Sequence, residues 1–129
     1  MIHTAGYQHI SNCAFNLSTQ PAPAKYMALT TDNTAPAAGD TSLASEITAN
    51  SGLARTVVGT LSYNSGTKVT TLANTFTAAA TGLPITVKKF GVFNASSAGT
   101  MVTSDVFSAD AVMSASGDQL TVTKTITMS

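Results

Sequence analysis

The segment Gln119–Met128, QLTVTKTITM, decides the fold class. Leu120, Val122, Ile126 and Met128 fall at every second position, with Lys124 the sole interruption, and Thr121, Thr123, Thr125 and Thr127 fill the positions between. A two-residue period gives a strand one dry and one wet face, the signature of an antiparallel sheet covered on one side. The threonine ladder suits this, because β-branched side chains are already restricted at χ1 and fit a pleated surface.

Upstream, Leu53–Ser62 (LARTVVGTLS) and Thr67–Ala78 (TKVTTLANTFTA) flank Tyr63-Asn64-Ser65-Gly66 and read as a hairpin. Pro84–Asn94 (PITVKKFGVFN) alternates early, but Phe90, Val92 and Phe93 break the register, which predicts a bulge near Gly91. Thr100–Ser108 (TMVTSDVFS) follows the turn SSAG. Short strands joined by Gly and Ser turns point to an all-β fold, an antiparallel β-sandwich or a small jelly-roll-like barrel.

The first 52 residues are irregular and hold three of the four prolines and both histidines. They contain a short strand candidate at Ala24–Thr30 (AKYMALT) and then TDNTAPAAGDTS, a turn-rich loop. Asp40 is placed to cap a short helix over Thr41–Glu46, although an extended reading is nearly as good. Residues 1–23 are expected as an extended N-terminal arm and residues 24–129 as one sandwich domain. A chain of 129 residues suffices for one domain with a real core.

Only 9% of the residues are charged, against about 25% in ordinary soluble domains, and the formal net charge is zero. No cationic face for nucleic acid and no polybasic membrane patch can be assembled from six scattered basic side chains. Weak self-repulsion favours association. The N-terminal residues lack the basic lead and apolar run of a secretion signal, so synthesis in a cytoplasm is expected.

Catalytic chemistry finds little support. Nucleophilic catalysis needs Ser, Cys or Thr beside a base, and the only histidines, His3 and His9, lie in the N-terminal segment. His3, His9 and Cys13 offer three potential zinc ligands, but H-x5-H-x3-C matches no common metal spacing. The aspartates sit mostly in turn sequences, where they commonly bond their own backbone. The expectation is no catalytic, cofactor or metal site. Arg55 is the one charge that suggests a specific contact: it stands in an apolar stretch, and a bridge to Glu46 or Asp40 would pin the loop to the sheet. A solvated edge position is the alternative. His3, Tyr7, His9 and Phe15 are the candidate partner contacts of the arm.

Four pieces of the sequence carry a family resemblance: Ala28–Thr31, Thr34–Ile47, Gly52–Arg55 and Phe90–Met101, within KYMALTTDNTAPAAGDTSLASEI, GLART and FTAAATGLPITVKKFGVFNASSAGTMVTSDVFS. This stretch, Lys25 to Ser108, resembles small virion proteins of tailed bacteriophages, which occur as tail-fibre or tail-associated components and, in similar β-sandwich form, as capsid decoration proteins. The segment HTAGYQHISNCAF lies outside the likeness and suits an arm laid across capsid subunits. The resemblance implies a virion protein made in the host bacterial cytoplasm. The leading expectation is a decoration, or cement, protein partnering the major capsid protein and its own copies, as dimers or trimers. A tail or fibre component is the alternative, and a host-surface binding module the third.

Overall fold

The computed structural model describes residues 1–15 and 19–128. Two antiparallel sheets pack face to face as a β-sandwich. One has four strands in the order β2-β1-β5-β6, formed by β1 (Tyr26–Thr30), β2 (Thr56–Val57), β5 (Ile85–Phe93) and β6 (Met101–Met113). The other has three, β3 (Thr60–Asn64), β4 (Val69–Thr77) and β7 (Gln119–Thr127), in the order β3-β4-β7. The sheets remain separate, so the sandwich rather than the barrel is formed.

The deciding strand behaves as its period dictates. Val122 is buried, Leu120 and Ile126 pack against the core between the sheets, and Thr121 shares a 2.8 Å hydrogen bond with Thr75 on the outer face. Lys124 interrupts the apolar row because its ammonium reaches across to Asp105 on β6, joining the two sheets. The inter-sheet core holds Met27, Leu29, Leu72, Phe76, Val87, Phe90 and Val92, with Phe107 stacked on Phe90 at 5.7 Å.

The register break in β5 has two causes. Pairing with β6 shifts twice, between Val87 and Lys89 and again between Val92 and Phe93, the second next to Gly91, which itself pairs with Ala28 and Ser104. The first shift brings Val87, Phe90 and Val92 onto the same inter-sheet core in spite of their spacing. Phe93 belongs to a second cluster with Ala28, Leu43 and Met101, covered by the 31–55 loop. A central strand buried on both faces cannot alternate cleanly.

Three expected elements are corrected. The segment Thr4–Phe15 is an α-helix (α1), not an extended arm. Residues 16–18 of the expected arm, and Ser129 at the end of the expected domain, lie outside the described residues. Helix α1 lies so close to β6 that a Cβ on Gly6 would stand 2.1 Å from the Val102 carbonyl oxygen; tertiary contact through glycine, not helix propensity, sets it. Asp40 caps no helix: its carboxylate accepts from the Ala37 amide at 2.9 Å and closes a turn, leaving 41–46 as turn and bridge. Leu53–Ser62 is no single strand, since Leu53 and Ala54 lie in a turn and Gly59 separates β2 from β3.

The loop over the four-stranded sheet is held by buried polar groups. Asn50 is fully buried and uses its whole amide: Nδ2 donates to the Ala79 and Thr81 carbonyls at 2.8 Å each, while Oδ1 accepts from the Gly52 and Ala79 amides. Lys89, also buried, donates to Asp32 and to the Thr34 carbonyl at 3.0 Å each. Thr30 bonds Ala44 and Ser45. No helix among the described residues is long and apolar enough to cross a membrane.

Because Asn50→Ala strands buried backbone groups, it is expected to cost at least about 1–3 kcal/mol in urea denaturation with the m-value unchanged. Loss within a few tenths of wild type would show that the amide network carries no stability.

Candidate functional site

Two places gather the residues singled out from sequence. The first is the Arg55 cluster. Arg55 follows the turn after Leu53 and is in no strand; its guanidinium lies 3.6 Å from the ring centre of Phe93. Nε and Nη2 donate to the two Glu46 carboxylate oxygens at 2.9 and 2.6 Å. Nη1 donates to the Ala95 and Ala98 carbonyls in the turn between β5 and β6, at 3.2 and 2.8 Å. The Glu46 alternative, and not Asp40, is therefore the pairing present, and Glu46 itself is held by the backbone bridge of its residue to Thr30. A planar fork that meets a carboxylate with two bonds and an aromatic with its face fixes geometry. Its partners are all structural.

The second is the N-terminal segment. His3 was expected to face a partner, but it is fully buried: Nδ1 donates to the Ala37 carbonyl at 2.8 Å and Nε2 lies 2.9 Å from the Ser104 hydroxyl. Residues 1–3 extend the four-stranded sheet past β6, through the Ile2–Thr103 bridge and the bonds His3 N to Val102 O and Ser104 N to Met1 O at 3.0 Å each. A side chain folded inside the domain offers no contact surface. His9 is likewise buried, at 6% exposure, with Nε2 3.6 Å from Cys13 Sγ one turn along α1. Tyr7 and Phe15 do point outward, 64% and 80% exposed. The potential zinc trio is split, since both His3 ring nitrogens are engaged away from Cys13; the described residues contain no group of three metal-binding side chains.

Between α1 and the open end of the three-stranded sheet runs an apolar groove of about 390 Å³, which the sequence did not reveal. His9, Ile10 and Cys13 form one wall, and Leu61, Leu72, Ile126 and Met128 form the other. Leu61 and Met128 remain 58% and 49% exposed, and Tyr63, on the same face of β3 as Leu61, is 61% exposed. The one sequence sign was the continuation of the apolar row to Met128, past the last buried position. The groove can bind apolar surface, and its α1 wall carries the Cys13 thiol 3.6 Å from His9 Nε2.

Charge in the fold is engaged elsewhere. The Lys89 hydrogen bond, with help from Thr34, holds the Asp32 carboxyl below its ordinary range. Burial raises Asp105, but hydrogen bonds from Lys124 and the Met1 amine outweigh it and leave its pKa lowered. The Ala115 and Ser114 amides lower Asp118 in the β6–β7 turn, and burial lowers His9.

Two measurements follow. In a double-mutant cycle, Arg55→Met and Glu46→Gln are expected to be non-additive by about 0.5–3 kcal/mol; additive losses would dissolve the pair. All four shifted groups bind protons more weakly folded than unfolded, so stability is greatest above their unfolded pKa values and falls with pH. Thermal melts should show a shallow loss below about pH 6.5 from His9 and a steeper one below about pH 4 from the three aspartates. A midpoint that rises on acidification would contradict the depressed values.

Comparison with known proteins assigns this geometry to a family. Residues 2–128 match the family model described as podophage GP4 fiber I protein gp80. The match takes in the N-terminal segment that the sequence resemblance had left outside. No curated protein matches the chain. With nearly its whole length matched, the chain belongs to this podophage fiber I protein family, and it is a structural protein of the bacteriophage virion.

Proposed function

We propose that the chain is a small subunit of a virion fibre that works by joining neighbouring protein subunits, with no catalytic step. One observation carries this reading: in a chain only 9% charged, Leu61, Tyr63 and Met128 are left exposed around an open apolar groove. Exposed apolar clusters of this kind mark protein contact surfaces. Several ionisable side chains in the fold bind one another, as Arg55–Glu46, Lys89–Asp32 and Lys124–Asp105. That use of charge supports a cohesive role rather than a reactive one. Repetition of a modest contact on a particle multiplies its strength without new chemistry.

The fibre reading is preferred to capsid decoration because the family description names a fibre and because the matched region includes α1. Decoration would use the same surface against the major capsid protein, and a host-surface module would turn it outward. Nothing in the apolar groove resembles a sugar platform, which commonly stacks aromatic rings; the lining residues include none.

Electron cryomicroscopy of particles carrying an antibody-labelled copy tests the location. Label confined to fibres at the tail is the expected outcome. Label spread over the head shell would overturn the fibre reading in favour of decoration, and particles without label would remove the chain from the assembly.

A further inference from the structure

We infer that the outer edge of β3 is a self-association site, where Thr60–Asn64 pairs antiparallel with the same strand of a second copy. The inference rests on the structural-subunit reading only in taking the partner to be protein.

Among the described residues β3 pairs with β4 on one side and with no strand on the other, and all five of its residues are exposed. A free edge presents unpaired amide and carbonyl groups that another strand can satisfy, so edges of monomeric proteins are commonly blunted by charge, proline, bulges or a covering segment. The other edges here show such devices. β2 is two residues long, β6 is covered at Val102–Ser104 by residues 1–3, and β7 turns Lys124 inward to Asp105. β3, with the sequence TLSYN, has no charge and no proline, and it pairs with β4 without a bulge.

Its side chains also fit a second copy. In the register that pairs all five residues, Ser62 lies on the two-fold axis, Leu61 faces Tyr63 of the other copy, and Thr60 faces Asn64. Two-fold contacts must be self-complementary, and an uncharged strand places no like charges across the axis. Leu61 and Tyr63 share the sheet face that lines the groove, yet they are 58% and 61% exposed. In the pair, each covers the other, and the two three-stranded sheets become one of six. Zero formal net charge removes long-range repulsion between copies.

A five-residue strand pair is small beside the ~1,000 Å² of a durable interface, so the isolated dimer should be weak, with a Kd on the order of 10–100 μM. Directly opposed residues of antiparallel strands have Cα atoms about 4.5–5.5 Å apart, within disulfide reach. In a Cys13→Ser background, Ser62→Cys is therefore expected to form a covalent dimer under mild oxidation. Thr60→Cys is expected not to, because its own copy lies across the axis, and neither is Thr123→Cys at the middle of β7. Thr60→Cys with Asn64→Cys should restore crosslinking. By sedimentation velocity, Ser62→Pro should raise the dimer Kd at least about tenfold, with the far-ultraviolet circular dichroism spectrum confirming that it folds.

No crosslink at Ser62, a crosslink at Thr123 equal to or greater than that at Ser62, or a dimer unaffected by Ser62→Pro would overturn the inference. Any of these would leave the fibre reading standing, since particle labelling tests that independently.

Discussion

The Arg55 guanidinium is where the long loop over the four-stranded sheet is tied to the strands beneath it. Its four hydrogen bonds are divided among Glu46 on the loop and the Ala95 and Ala98 carbonyls in the β5–β6 turn, while its flat face rests on Phe93. Lysine carries a point charge and no planar fork, so it cannot meet a carboxylate in parallel, two carbonyls and an aromatic face together. With the loop fixed, Leu43 can close the second apolar cluster over Ala28, Phe93 and Met101. The middle of the sheet, β1 and the second half of β5, is thereby buried on both faces, and the polar groups enclosed with it must find partners. Asn50, Lys89, Thr30 and His3 do so without a residual buried polar side-chain atom left unbonded among the described residues.

That use of polar chemistry inside the fold explains the character of the outside. The chain has few charges, and several of them are engaged in holding loops and sheets together. What remains on the surface is largely threonine, serine, alanine and isolated apolar side chains. Such a surface repels neighbours weakly and gains free energy by covering its exposed apolar groups. The groove beside α1 and the open edge of β3 are two parts of one face, linked through Leu61. A virion subunit whose role is cohesion needs a face of this kind and a rigid body behind it.

The two-residue period of 119–128 and the turns after Ser62 and Asn94 were sufficient to read an all-β fold from the chain alone, and the resemblance carried by Lys25–Ser108, not the composition, pointed to a virion protein. Helix α1 was not legible, because TAGYQHISNCAF has no sustained apolar stripe and its place depends on Gly6 approaching Val102. The inward turn of His3 was hidden for the same reason: its partners, Ala37 and Ser104, are 34 and 101 residues away. Glu46 and Arg55, only nine residues apart, could be paired on paper. The Ala95 and Ala98 carbonyls that complete the cluster could not.

The sequence by itself determined which residues alternate, where turns interrupt them, and how few charges the chain carries, since these are local or compositional properties. Only the tertiary structure decided which alternating faces are covered, which edge is left open, and that the N-terminal residues lie inside the domain. Burial and backbone pairing are relations between distant segments, and a linear pattern records each segment's preference without naming the partner that satisfies it.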